Sequence, residues 1–180
     1  MIIVISGPGG VGKGTLVDRL VASDPRLWLS RSWTTRAPRP GESPTAYTFV
    51  TRADFEARVA SGGFLEWAPF LDYLQGTPIP DAPAGRDVVL EIDVQGARQV
   101  LETHPEAILI FIEAPSREEQ RRRLEARGDP PEKVSQRLAI ADAEATAARD
   151  LGMHVIVNDD LDRATAAVAE LIGQGRIAGC

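Results

Sequence analysis

Short runs of apolar residues alternate along the chain with segments whose apolar residues recur at helical spacing. The runs suit strands buried on both faces of a parallel sheet, and they cover residues 2–5, 88–92, 107–112 and 155–157. The helical patterns begin with Leu16, Val17, Leu20 and Val21 and return over residues 95–102, 117–127 and 161–172. Repeated strand–helix units predict an α/β fold with a parallel central sheet and helices on both faces.

This alternation is interrupted between residues 30 and 85, a stretch that contains seven prolines. Its best candidate strands, residues 47–50 and 64–68, flank a short helix that we expect to begin near Thr51. We therefore predict a lobe inserted into the sheet domain.

A second interruption is a predicted helical hairpin, formed by residues 117–127 and 132–148. Ser116 and Glu119 have capping-box spacing, and Gly128 can end the first helix. Asp129 and the two prolines after it predict the start of the second helix, with the aspartate as an acceptor.

Composition narrows the class of function. The 180-residue chain has a net charge of −6, which argues against a nucleic-acid-binding surface. It has no apolar stretch long enough to span a bilayer and no basic leader at its start, so we expect a cytoplasmic protein with no membrane contact. The single cysteine, Cys180, cannot form an internal disulfide, and we interpret it as an incidental tail residue.

The first strand leads into a glycine-rich loop whose lysine stands out in this chain. Lys13 is one of two lysines, the other being Lys133, although there are 20 basic residues. Glycines allow backbone N–H groups to turn toward phosphates, and a compact ammonium can bridge the outer ones. We predict a nucleotide-phosphate site, which the family resemblance described below implies is the ATP site, with the following residues: Gly7, Pro8, Gly9, Gly10, Val11, Gly12, Lys13, Gly14 and Thr15. Gly14 replaces the usual hydroxyl residue of this motif, which leaves Thr15 and nucleotide oxygens as candidate Mg²⁺ ligands.

Two arginines lie in a proline-stiffened loop a few residues after Trp33. Arg36 and Arg39 can clamp one phosphate from two sides, although a solvated basic loop is an equal alternative from these residues alone. Two carboxylates are further candidates. Glu66 lies among bulky apolar residues and Asp93 lies at a strand end, where the pair could accept hydrogen bonds from guanine or position Mg²⁺. The alternatives are an exposed strand residue for Glu66 and a helix N-cap for Asp93.

Arginines are also concentrated on the predicted hairpin. Arg123 and Arg127 share a helix face, and Arg137 lies on the next helix. Most charge runs are solvated, but these three bracket the hairpin and could close over a transferring phosphoryl group.

Taken together, the motifs make the chain resemble guanylate kinases over nearly its whole length. The similar segments occur in the family's order: the glycine loop, Thr34-Thr35-Arg36-x-Pro38-Arg39-x-Gly41-Glu42, Phe64-Leu65-Glu66-Trp67-Ala68, Gly76-Thr77, Leu90-Glu91-Ile92-Asp93-Val94-Gln95-Gly96-Ala97, Ala114-Pro115-Ser116 and Val157-Asn158-Asp159-Asp160-Leu161. The resemblance implies a three-layer P-loop NTPase fold and ATP-dependent phosphorylation of GMP and dGMP with Mg²⁺. It implies one domain over residues 1–180, with a core of 1–31 and 86–180, a nucleoside monophosphate lobe of about 32–85 and a lid of about 117–140.

The resemblance also assigns roles to individual residues. The implied GMP site comprises Ser32, Arg36, Arg39, Tyr47, Glu66, Gln75, Thr77 and Asp93. Lys13, Arg123, Arg127 and Arg137 would stabilise the transferring phosphoryl group, and Asn158 would lie near the ATP base. The implied partners are ATP and GMP or dGMP, in a monomer or homodimer that binds no nucleic acid.

The chain departs from the family pattern at four places. Besides Gly14, the loop before Tyr47 lacks the usual Gly-x-Asp, Gln75 replaces a second phosphate-binding tyrosine, and the segment 78–85 is short. Three of these departures fall in the inserted lobe, so a kinase with altered acceptor choice and a non-catalytic binding module are the alternative hypotheses.

Overall fold

The computed structural model describes residues 1–39 and 41–178, so Pro40 of the arginine loop and Cys180 lie outside the described residues. In chain order, the elements are β1 (Ile2–Ser6), α1 (Lys13–Ser23), β2 (Leu27–Ser30), β3 (Trp33–Thr34), β4 (Thr48–Phe49), α2 (Arg52–Ala60), β5 (Phe64–Phe70), β6 (Tyr73–Pro78), β7 (Asp87–Glu91), α3 (Val94–Thr103), β8 (Ile108–Glu113), α4 (Arg117–Ala126), α5 (Pro131–Asp150), β9 (His154–Val157) and α6 (Leu161–Ala178).

A five-stranded sheet of order β2-β7-β1-β8-β9 forms the middle layer, and all its neighbouring strands are parallel. Alternate residues of β1 point to opposite faces and are fully buried on both. Ile3 and Ile5 pack with α1 and α6, whereas Val4 packs with α3 and α5. The predicted α/β class with helices on both faces is therefore confirmed.

Residues between β2 and β7 form a second, four-stranded sheet of order β4-β3-β6-β5. Helix α2 begins after Thr51, whose side chain accepts a hydrogen bond from the backbone N–H of Asp54 at 3.2 Å. The ring of Phe55 is fully buried and stacks on Phe64 at 4.5 Å, so this sheet has an aromatic core of its own.

The helical hairpin forms, but its caps differ in part from the prediction. Ser116 accepts from the N–H of Glu119 at 3.1 Å, whereas the Glu119 carboxylate binds arginines of its own helix, so only half of the capping box forms. The residue before α5 is Pro130, which has no capping side chain, and Asp129 pairs instead with Arg127 and Arg137. The carboxylate that was expected to be the acceptor at this helix start is thus an ion-pair partner of two arginines.

Three strands were not predicted from the sequence: β2, β3 and β6. The central sheet accordingly has five strands rather than the four expected. None of the helices in the described part of the chain is long and apolar enough to cross a membrane.

Candidate functional site

The glycine-rich loop occupies the gap between the end of β1 and the start of α1. At Gly7, a Cβ atom would lie 2.4 Å from the carbonyl oxygen of Ile112, so no larger residue fits there. Gly12 has a φ of 84° and precedes α1 without a capping side chain, which leaves the first N–H groups of the helix open to a ligand. Open N–H groups at a helix N-terminus bind phosphate well.

The loop borders a cavity of about 390 Å³ that also reaches the second sheet and the helical hairpin. Lys13 lines this cavity and donates from Nζ to the carbonyl oxygen of Gly7 at 3.2 Å. Glu91 lines it as well, and burial raises the pKa of this carboxyl, while the charge of Lys13 acts in the opposite direction.

Besides Arg123, four arginines from separate parts of the chain line the cavity. Arg36 and Arg39 come from the loop after β3, while Arg127 and Arg137 come from the hairpin. Burial lowers the pKa of Arg39, and the positive charges of the other three lower it further. The charges of Arg36, Arg127 and Arg137 therefore act on Arg39, and this concentration of positive charge around one cavity favours the binding of anions.

Glu42 holds Arg36 in place before any substrate binds. Both Glu42 oxygens accept from Arg36, at 2.6 and 2.7 Å, and the backbone N–H of Arg39 donates to the same carboxylate at 2.9 Å. The Arg36 guanidinium lies over the ring of Tyr47, 4.9 Å from its centroid. Burial raises the pKa of Tyr47 well above its usual value, so this phenol remains a neutral donor.

Arg123 and Asn158 both donate hydrogen bonds to the backbone of the glycine-rich loop. Arg123 donates to the carbonyl oxygens of Val11 at 3.2 Å and Asn158 at 3.1 Å, and its Nε binds Glu119. Asn158 is buried, and its side-chain amide donates to Val11 at 2.8 Å. Arg123 also lines the cavity, whereas Val11 and Asn158 do not.

A second, separate polar cluster lies on the second sheet, where Glu66 of β5 and Thr77 of β6 are paired and Glu66 lies against α3. Ser32 and Thr77 are buried, and their hydroxyls are 3.1 Å apart. Glu66 is only 4% exposed, and its Oε1 has no hydrogen-bond partner among the described residues. Burial raises the pKa of Glu66 to about 7, although hydrogen bonding with Thr77 acts in the opposite direction, and the negative charge of Asp93 raises the pKa further. A buried carboxylate oxygen without a partner is available to a ligand that donates hydrogen bonds.

Helix α3 fixes the position of this carboxylate. A Cβ atom on Gly96 would lie 2.4 Å from Oε2 of Glu66, so the glycine is what lets the two groups approach. Asp93 accepts from the N–H of Gly96 at 2.8 Å as the N-cap of α3, and it also lines the large cavity. Asp93 is therefore the N-cap of α3, as one interpretation of the sequence predicted, and it also lines the cavity.

Few protein groups are suitable ligands for Mg²⁺ here. Within the described residues there is no cluster of three or more side chains that could hold a metal on their own. A Cβ on Gly14 would be in van der Waals contact with Glu91, 3.6 Å from one of its oxygens, and the exposed Thr15 lines the same cavity. One carboxylate and one hydroxyl fit Mg²⁺, which usually keeps waters and takes other ligands from substrate phosphates.

The predicted site residues divide between the two places. The cavity brings together all of the glycine loop except Val11, with Arg36, Arg39, Tyr47, Gln75, Asp93, Arg123, Arg127 and Arg137. Ser32, Glu66 and Thr77 belong to the separate buried cluster.

Four cavity residues were not predicted: Phe70, Tyr73, Glu91 and Glu144. Alternation along strands could have indicated Glu91, two residues before Asp93, and Tyr73, two residues before Gln75. Glu144 is seven residues after Arg137 and so lies on the same face of α5. Burial raises the pKa of Glu144 to about 7, and Lys13 acts in the opposite direction.

Comparisons with known proteins agree on one family. The family model described as guanylate kinase matches residues 1–175. A guanylate kinase of Parasynechococcus marenigrum is 47% identical over 97% of this chain and 98% of its own length. One of Deinococcus radiodurans is 49% identical over 96% of this chain and 73% of its own length. The crystal structure of guanylate kinase from Anaplasma phagocytophilum has a TM-score of 0.78 at 30% identity, over 97% of this chain and 85% of the other.

Proposed function

The chain belongs to the guanylate kinase family, and we propose that its large cavity is where the terminal phosphoryl group of ATP passes to GMP or dGMP. The observation that carries the proposal is the convergence of Lys13, the glycine loop and arginines from two lobes on one cavity. A nucleotide phosphate on each side would be met by cations, as in-line transfer between two nucleotides needs.

In the proposed reaction, an oxygen of the GMP phosphate attacks the γ-phosphorus of ATP. A new P–O bond forms as the bond to the β-phosphate oxygen breaks, and the products are GDP and ADP. No strong general base is required, because positioning and charge neutralisation supply most of the catalysis.

On the donor side, the open N–H groups of the loop would bind the ATP phosphates, and the Lys13 ammonium would stabilise the negative charge of the transferring phosphoryl group. Arg127 and Arg137 would reach it from the hairpin. Arg123 would act from its place behind the loop, and Asn158 would support the loop near the ATP base. Mg²⁺, when bound, neutralises the phosphates, and Glu91 and Thr15 would hold it from the protein side.

On the acceptor side, Arg36, Arg39 and Tyr47 would bind the GMP phosphate, with Gln75 beside them. Glu66 and Asp93 would accept hydrogen bonds from the N–H edge of guanine, while Ser32 and Thr77 would line its pocket. Adenine does not offer paired donors on one edge, so two carboxylates favour guanine.

We further propose the division into core, acceptor lobe and lid described from the sequence, with closure of the lid excluding water. The proposed setting is purine nucleotide metabolism in the cytoplasm, for a monomer or homodimer that binds neither nucleic acid nor membrane. The acidic charge supports the absence of nucleic acid.

A coupled assay of ADP formation with Mg-ATP and each of GMP, dGMP, AMP, CMP and UMP tests the proposal. We expect GMP and dGMP to be the preferred acceptors and Lys13→Ala to lower kcat by at least about 100-fold. Lys133→Ala is the matched control, since Lys133 is the chain's other lysine and is exposed. AMP turnover above that of GMP, or full activity in Lys13→Ala, would refute the proposed site.

A further inference from the structure

One face of strand β6 extends from the buried polar cluster to the cavity that Arg36 and Arg39 line. Side chains alternate along a strand, so Tyr73, Gln75 and Thr77 point to the same side. Thr77 lies beside Ser32, while Tyr73 and Gln75 line the large cavity. Successive members of this row are about 7 Å apart. A nucleotide lying along the row with its base at Thr77 would bring its phosphate toward Tyr73.

Tyr73 is held at the tip of a tight hairpin. It pairs with Phe70 across the hairpin turn, and the two rings are 5.7 Å apart. Leu71, in that turn, has a φ of 54°, which places the two strand ends close together. The Tyr73 side chain is 9% exposed, and its hydroxyl makes no hydrogen bond with any other described residue. The ring is therefore fixed while its polar end remains available to a ligand.

The surroundings of Tyr73 are those of an anion site. Tyr73 lines the same cavity as Arg36, Arg39 and Tyr47, which are the proposed phosphate ligands. Arg36 already gives two of its N–H groups to Glu42 and one to the carbonyl oxygen of Ala37. A phosphate bound there would still need donors, and a phenol supplies one without adding charge to a crowded cluster of arginines.

We propose that Tyr73 is a phosphate-positioning residue, which donates its hydroxyl to the acceptor phosphate of GMP from two residues before Gln75. The inference rests on the proposed acceptor site and names a ligand within it. It accounts for the absence of a tyrosine at position 75, because the same strand face presents one at position 73.

Tyr73→Phe tests the inference, since it removes the hydroxyl and keeps the ring. A hydrogen bond to a charged group predicts a KM for GMP about 10-fold higher or more, with the KM for ATP unchanged. Guanosine, used as a competitive inhibitor, has no phosphate, so its inhibition constant should be the same for both proteins. Asp72→Asn, an exposed change in the same turn, is the matched control and should keep the wild-type KM for GMP.

Each outcome decides the matter. An unchanged KM for GMP in Tyr73→Phe overturns the inference, and so does an equal weakening of GMP and guanosine, since that indicates a change in shape. A wild-type protein that does not phosphorylate GMP would instead overturn the proposed function. If Tyr73 already occupies the phosphate, Gln75→Tyr should bring little further decrease in KM.

Discussion

Replacing Glu66 by glutamine separates the stability of the protein from its ability to bind guanine. Glu66 is 4% exposed and its Oε1 has no partner among the described residues, so ionisation of this carboxyl is costly in the ligand-free protein. The pKa of Glu66 is raised from 4.5 to about 7. Glutamine has nearly the same shape and does not titrate, so a difference in stability that changes with pH reports the ionisation of Glu66.

The magnitude follows from the two pKa values. Between pH 4.5 and about 7, the folded protein keeps a proton that the unfolded chain releases. Its free energy of unfolding therefore falls as the pH rises through this window, by about 1.4 kcal/mol per pH unit and about 3 kcal/mol in total. Glu144 titrates in the same window and contributes equally to wild type and variant, so it cancels in their difference.

Urea unfolding followed by tryptophan fluorescence at pH 5, 6, 7 and 8 measures this difference. We expect Glu66→Gln to gain about 2–3 kcal/mol relative to wild type between pH 5 and 8, whatever the constant offset caused by the amide, because pH 5 already lies above the unfolded pKa of 4.5. In the coupled assay the same variant should show a much higher KM for GMP, because an amide NH₂ opposes the N–H groups of guanine. Parallel pH profiles for the two proteins would refute the ionisation argument, and Glu144→Gln is the matched control for the second titrating group.

Two further predictions concern contacts of single residues. Gly96→Ala places a Cβ 2.4 Å from Glu66, and the carboxylate must move because Gly96 is in a helix. We expect the unfolding free energy to fall by about 1–3 kcal/mol and the KM for GMP to rise at least 10-fold. The KM for ATP is the control, and an unchanged KM for GMP would contradict the prediction. Hydrogen bonds from Arg26 and Arg176 hold the pKa of Asp24 well below 3.8, so Asp24→Asn should cost about 1–2 kcal/mol at pH 7. This cost should shrink as the pH falls below about 4, because the unfolded wild-type chain then binds a proton at Asp24 while the folded protein keeps it ionised. A cost that is the same at pH 7 and pH 3 would contradict the ion-pair explanation.

The parts of the fold that could be predicted were those where local pattern and tertiary burial agree. Strand β1 is buried on both faces and begins within one residue of the predicted range, as do the other aliphatic strands of the parallel sheet. Helix α2 begins where Thr51 can cap it, and α3 begins where Asp93 can. Each of these elements is indicated by a single residue or a short run, so it can be predicted without knowing which distant residues pack against it.

The strands that were missed depend on partners distant in the chain. Strand β3 is two residues long and exists because Trp33 pairs with β6 on one side and β4 on the other. Strand β6 includes Gln75 and Gly76, which are poor strand formers, yet it pairs along its whole length with β5. For the same reason Tyr73 was not recognised as a site residue: only the register of β6 shows that it faces the cavity.

The arginines around the cavity are already ordered without substrate, and their counter-charges explain how. Arg36 is held by Glu42, and Arg127 and Arg137 share Asp129, so each lobe neutralises its own cations with its own carboxylate. Such pairs keep long side chains in place, which spares a substrate phosphate the entropy of ordering them. They also limit affinity, because a phosphate must share donors with a carboxylate already bound to them. A neutral donor has no carboxylate to compete with, and this is the physical reason to expect that a tyrosine hydroxyl contributes strongly among so many arginines.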